Sequence, residues 1–379
     1  MYFAKLSACA FVAALLAACA GTGAGTNDGT NPATNPAARP INKAGALQFQ
    51  VFTAGQTPGF PASAGAIDLA PGPNQTMWFT DGGTPAIGRI ASDGTVTEFT
   101  SGLPANAEPD AIAAGPDGNM YFSDYRGVVI GKVTSNGTIT EYSATQFTDT
   151  NSKAIAFGSD GLPWVVGSGI PSVLAHLTSS GKITTQKLAP DFTPDQTLAA
   201  DAHGNLWFTG VNKTQHAELL ERVASTGKLV HLPAHMVKQF LPCCPNQSAM
   251  QMTIGPNGAP WFTTTNYLKQ GTTSFHLGTV EGNAVKLLRL THKGLTTSAY
   301  PSGIASTGAT SNTLWVSGGN PFQNNGALWE FAGKGNQKTF SVPYNPLSLT
   351  VDAAGHPWFT AAFSGEPSQI VEVTNVGSK

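Results

Sequence analysis

Seven aromatic residues divide this chain at near-constant intervals: Trp78, Tyr121, Trp164, Trp207, Trp261, Trp315 and Trp358. The intervals are 43, 43, 43, 54, 54 and 43 residues. A period in this range marks an array of one supersecondary unit, either a propeller or a solenoid. Each aromatic follows a Gly/Pro/Asp/Asn turn, such as Gly115-Pro116-Asp117-Gly118 before Tyr121 and Gly255-Pro256-Asn257-Gly258 before Trp261. Asp-Gly and Asn-Gly supply the positive φ angles that tight hairpins need. A second hairpin follows in each unit; Ile87-Gly88-Arg89-Ile90, Ser92-Asp93-Gly94 and Thr95-Val96-Thr97-Glu98-Phe99 form the clearest copy. Four short alternating strands per unit make one antiparallel blade, and helical periodicity is absent throughout.

The two ends decide between propeller and solenoid. The seventh unit stops after Ile370-Val371-Glu372-Val373 without a fourth strand, while Leu47-Gln48-Phe49-Gln50-Val51-Phe52 is a fourth strand without a unit. Pairing them closes a ring and removes the exposed edges of an open array. A solenoid would need capping units instead. The fold expected is therefore all-β: a seven-bladed β-propeller of four-stranded antiparallel blades over residues 46–379, with the N-terminal strand closing the last blade. Extra residues at His231 to Gln247 and around Asn266 to Asn283 account for the two longer intervals. They read either as loops at a binding rim or as neutral drift.

The residues ahead of the propeller suggest an address. Lys5 precedes a short apolar stretch, Leu6 to Leu16, that ends in Leu16-Ala17-Ala18-Cys19. The stretch is too short for a membrane span and reads as a cleavable signal over residues 1–18. Its ending resembles the lipobox of bacterial lipoproteins, which implies lipidation of Cys19 and a lipid bilayer as partner. The implied location is the cell envelope, at the outer membrane or periplasmic face in a Gram-negative host. Residues 19–45, poor in large apolar side chains, read as a flexible tether. With 20 Lys and Arg against 22 Asp and Glu, and no basic run, the chain lacks the footprint of a nucleic-acid binder. Cys243-Cys244 is the one cysteine pair left in the body, and in an exported protein it reads as a vicinal disulfide.

The unit from Ala111 to Asp124, with Ile130-Gly131-Lys132-Val133 and Thr140-Glu141-Tyr142, resembles the virginiamycin B lyase family, and the likeness runs through residues 46–379. That resemblance implies seven blades and opening of cyclic streptogramin B antibiotics by elimination at the ester. It also implies Mg²⁺, a general base and acid, and His and Glu residues on one face. The family's Glu stands three residues past the lead aromatic; here those places hold Asp81, Asp124, Gly167, Gly210, Thr264, Gly318 and Ala361. Asp81 and Asp124 could share a metal ion, or they could be turn residues satisfying local N–H groups. The family's His stands eleven residues before the aromatic. Here the matches are Asp110, Lys153, Gln196, Met250 and Leu347, with Ser302 in the irregular sixth unit and Ala66 or Ile67 in the first.

No imidazole occupies those places, so the lyase pattern does not carry over. Asp81, Asp110, Asp124, Lys153 and Gln196 then form a polar half of the inner ring facing Met, Ser and Leu. That layout suits a small amphipathic ligand, or it is a water-filled channel lining. Two functions follow. The first is an exported, lipid-anchored propeller that binds a small molecule, glycan or protein. The alternative is a metal-dependent lyase or lactone hydrolase using Asp110 and Asp124 as catalytic groups and Asp81 and Asp124 as metal ligands. A structural lipoprotein without a small ligand is a third, plainer reading.

Overall fold

The computed structural model describes residues 47–147, 150–195, 197–214, 217–231, 249–268, 272–281, 284–290, 300–307, 312–320, 325–332, 336–363 and 365–374. Their strands form seven antiparallel sheets, and the one helical element among the described residues is a single 3₁₀ turn at Pro73–Gln75. Blade 1 comprises Ala66–Gly72, Thr76–Asp81, Ala86–Ile90 and Val96–Phe99; blade 2 comprises Pro109–Ala114, Met120–Asp124, Val129–Val133 and Ile139–Ser143. Blade 7 is assembled as the sequence predicts. Phe49–Thr53 pairs with Gln369–Val373 in register Phe49↔Val373 to Thr53↔Gln369, completing the sheet with Pro357–Ala361 and Pro346–Val351. The first strand of each blade packs against the first strand of the next, and the strand of blade 7 packs against that of blade 1, so the ring is closed.

The recurring sequence words have physical causes. Position two past the lead aromatic is a fully buried hydroxyl in six blades: Thr80, Ser123, Thr209, Thr263, Ser317 and Thr360. Thr80 accepts the Asp68 N–H at 3.1 Å and donates to the Asp110 carbonyl of blade 2; Thr360 accepts the Ser348 N–H and donates to the Ile67 carbonyl of blade 1. The hydroxyl thus latches one blade to the next while satisfying a buried backbone group. The glycine of the Ile-Gly-Arg-Ile word is equally determined. A Cβ on Gly88 would lie 2.0 Å from Phe79 Cζ, and one on Gly131 would lie 2.0 Å from Phe122 Cζ. Only glycine lets those fully buried rings lie flat across the neighbouring strand.

The turn words cap the aromatic that follows them. Asp201 accepts the His203 and Asn205 N–H groups and the Trp207 indole N–H, and Asp352 does the same for Ala354, His356 and Trp358. The longer interval after Trp261 is a lengthened hairpin. Pro260–Leu268 and Thr272–Glu281 stay paired out to Leu268↔Thr272, well past the level where the corresponding strands of blade 1 end. The insertion at His231 to Gln247 lies outside the described residues beyond His231.

Candidate functional site

All blades share one irregularity, and it falls where the resemblance points. In the first strand of six blades the pairing slips by one residue: Ala66/Leu69, Pro109/Ile112, Ser152/Ala154, Ala249/Met252, Pro301/Gly303 and Pro346/Leu349. In blade 4 the break is wider, between Pro194 and Ala199. Such bulges unpair a residue and re-aim its side chain, and they recur beside functional sites. Asp110, Lys153, Met250, Ser302 and Leu347 are all bulge residues. The register resolves the first unit as well, because Ala66 opposes Asp81 as Pro109 opposes Asp124. Ile67 is therefore the counterpart of Asp110, and it is 37% exposed. Asp110, Ser302 and Leu347 are half-buried at the same rim. Gln196 and the side chains of Lys153 and Met250 lie outside the described residues.

Asp81 and Asp124 do not join that ring. Both are fully buried within their own blades. Asp81 Oδ1 accepts N–H groups from Gly65, Gly83 and Thr84 at 2.7, 2.7 and 3.2 Å. Asp124 accepts the Glu108 and Arg126 N–H groups and is forked by the Arg126 guanidinium, with Nε on Oδ1 at 2.9 Å and Nη2 on Oδ2 at 2.7 Å. Nη2 also reaches both oxygens of Glu141. A Mg²⁺ ion shared by Asp81 and Asp124 does not fit this arrangement, because both Asp124 oxygens already hold a cation. The Asp–Arg–Glu triad was missed in the sequence because it occurs in one blade only.

Sequence reasoning also stopped one residue short of a buried relay. Asp68, next to Ile67, accepts the Ile112 N–H of blade 2 at 3.0 Å and the Ser348 hydroxyl of blade 7. Ser348 Oγ in turn accepts from Gln251 Nε2 of blade 5 at 3.0 Å, and Gln251 Oε1 accepts the Ile304 N–H of blade 6. Burial pushes the Asp68 carboxyl up from its ordinary value, while the hydrogen bonds from Ser348, Ile112 and Leu69 hold it back. This relay ties together the first strands of five blades around the axis. Beneath the polar rim the channel wall is thus internally bonded, and its polar groups are spent on one another.

A carboxyl pair lies in blade 1. Glu98 is half-buried, and its value is pushed up to about 8 by burial first, then by the Asp81 charge and the hydrogen bond between the two carboxyls. On the opposite rim, Asp352, His356 and Glu372 bring one ligand atom each within 4.8 Å of one another. His356 Nδ1 lies 3.0 Å from Glu372 Oε1. Asp352 there performs the same turn-capping role as Asp201, which accounts for the cluster. Cys19, Cys243 and Cys244 lie outside the described residues.

The architecture defines a class: a seven-bladed propeller whose one rim is ringed by bulged first strands. The sequence profile of the virginiamycin B lyase family matches residues 49–231, which span the closing strand and blades 1 to 4. Over that span the chain is similar to the virginiamycin B lyase family. A catalytically inactive virginiamycin B lyase from Staphylococcus aureus, solved with quinupristin, is 16% identical with a TM-score of 0.65 and covers 86% of this chain and 100% of its own. A streptogramin B lyase structure is 17% identical over 88% of this chain and 100% of its own, also with a TM-score of 0.65. YCF48 from Cyanidioschyzon merolae is 10% identical, with a TM-score of 0.57, over 87% of this chain and 99% of its own. At these identities the likeness is one of fold. No curated protein is significantly similar to the chain in sequence.

Proposed function

We propose that this protein is an exported, lipid-anchored propeller that binds a small molecule, glycan or protein at its bulged rim rather than turning one over. The carrying observation is the content of the bulges: Ile67, Asp110, Ser302 and Leu347 stand at the described positions where the resemblance calls for an imidazole. The only acids at the Glu positions, Asp81 and Asp124, are committed to backbone and arginine partners. The imidazole and glutamate that the resemblance calls for are therefore missing from those described places. Apolar Leu347 and Ile67, on adjoining blades, are flanked there by polar Ser302 and Asp110, a lining that suits an amphipathic ligand. Export and anchoring rest on the Leu16-Ala17-Ala18-Cys19 ending and the tether that follows it.

The test uses the full chain purified in detergent, incubated with a cyclic streptogramin B and Mg²⁺, with and without chelator, and read by mass spectrometry. An untouched ring is the expected result. A metal-dependent product of unchanged mass would overturn the proposal in favour of elimination, and one heavier by a water would do so in favour of ester hydrolysis. Radiolabelled palmitate entering the wild type but not Cys19→Ser checks the anchor.

A further inference from the structure

Blade 1 contains an ion triad from which the cation has been left out. In blade 2, Asp124 and Glu141 share the guanidinium of Arg126, and every carboxylate oxygen there has a donor. The same two acids recur at the same repeat positions of blade 1 as Asp81 and Glu98, but the place of Arg126 is taken by Gly83. A Cβ on Gly83 would lie 2.2 Å from the Ser63 carbonyl oxygen, so the loop has no room for a side chain of its own. Asp81 is fully buried, and neither its Oδ2 nor Oε1 of Glu98 receives an N–H; the two carboxyls hydrogen-bond to one another instead. Two buried acids side by side are costly once both are ionised, and in blade 2 the protein meets that cost with a planar cation.

We propose that Asp81 and Glu98 form a seat for a guanidinium group delivered by a ligand, namely the arginine side chain of a peptide or protein. Blade 2 supplies the pattern: two nitrogens fork onto the aspartate and one of them bridges to the glutamate. Guanidinium matches that geometry, whereas an ammonium offers a point charge. A divalent metal ion is a poorer occupant, because Asp81 Oδ1 already accepts three N–H groups and leaves too few oxygens to fill its shell. The loop that covers Asp81 stands at the bulged rim, with Gly83 exposed and Thr84 half-buried. Ile67 lies against this loop, since a Cβ on Gly82 would meet its Cδ1 at 2.5 Å. Its partly exposed side chain offers an apolar surface for the methylene stem of the incoming arginine. The inference deepens the binding reading by naming a ligand chemistry at the same rim, and it uses none of Asp110, Lys153 or Ser302.

Calorimetric titration of the full chain in detergent tests it, at pH 8.5, with N-acetyl-arginine amide as the probe. The lysine and citrulline counterparts and magnesium chloride are titrated alongside. Saturable arginine binding is expected, at least tenfold weaker for lysine and for citrulline. Glu98→Gln is expected to weaken it at least tenfold while leaving the circular dichroism spectrum unchanged, because no backbone group depends on Glu98. Lys286→Ala, which removes an exposed ion pair with Glu281 in blade 5, is expected to leave arginine binding intact. No saturable binding, equal binding of citrulline, equal binding by Glu98→Gln, or Mg²⁺ binding abolished by Glu98→Gln would each overturn the proposal.

Discussion

Replacing Glu98 with glutamine is expected to stabilise the protein, increasingly as pH rises above 4.5. The Glu98 carboxyl sits beside the buried Asp81 and is pushed from an ordinary 4.5 to about 8, by burial first and then by its neighbour's charge. Below pH 4.5 both the folded and the unfolded chain hold the proton, so no stability difference arises. Between 4.5 and 8 the unfolded chain has lost a proton that the folded chain keeps, and stability falls as pH rises. Above 8 both are ionised and the penalty stands in full. Complete burial would make a displacement of this size worth about 5 kcal/mol, at about 1.4 kcal/mol per pH unit. Glu98 is only half-buried, and solvent screening reduces this to about 2 kcal/mol.

The glutamine amide carries no charge to repel Asp81 and can donate an N–H to it where the glutamate can donate only while protonated. Urea unfolding of wild type and Glu98→Gln, followed by tryptophan fluorescence at pH 4, 6 and 9, measures the difference. The curves are expected to coincide near pH 4 and to separate by about 2 kcal/mol at pH 9, with the variant the more stable. Parallel curves across the range, or a variant less stable at pH 9, would refute the account of this pair as an uncompensated acid cluster.

The counterpart in blade 2 should respond in the opposite sense. Arg126→Gln leaves the fully buried Asp124 facing Glu141 and is expected to cost about 3 kcal/mol in urea unfolding, with partial recovery when Asp124→Asn is added. Thr80→Val removes a latch between blades 1 and 2 and is expected to cost about 1–3 kcal/mol by the same assay. Gly88→Ala forces a methyl group into the Phe79 ring and is expected to cost about 1–3 kcal/mol, relieved by Phe79→Leu.

Much of the fold was legible because propeller blades repeat their chemistry. The spaced aromatics, the Asp-Gly turns and the divided seventh unit each report a local necessity that returns in blade after blade. Even the glycine between Ile87 and Arg89 is readable once the Phe79 ring is placed over it. The site was less legible because bulges leave no mark in composition: Ile67 and Asp68 occupy a slipped register that only pairing with Asp81 and Phe79 reveals. Counting back from the aromatic reached Asp110 and Leu347 but passed over their neighbours, among which Asp68, Gln251 and Ser348 form the relay. Asp81 and Asp124 looked alike in sequence, and what separates them is a single residue two places further on, Gly83 in one blade and Arg126 in the other.

The closing of blade 7 has a consequence for the order in which the chain can fold. Phe49 pairs with Val373, so the contact that completes the ring joins residues more than three hundred positions apart. The first strand of the propeller must wait unpaired until its last strand is available. Contacts of such long sequence separation form slowly, since the loop must be closed before they can reward it. Blades 1 to 6 can each form from contiguous sequence as they appear, but the circle cannot, and until it closes the strand edges at the break stay unprotected. Completion of the ring is therefore the last step of this fold, taken only after the blades that it joins have formed.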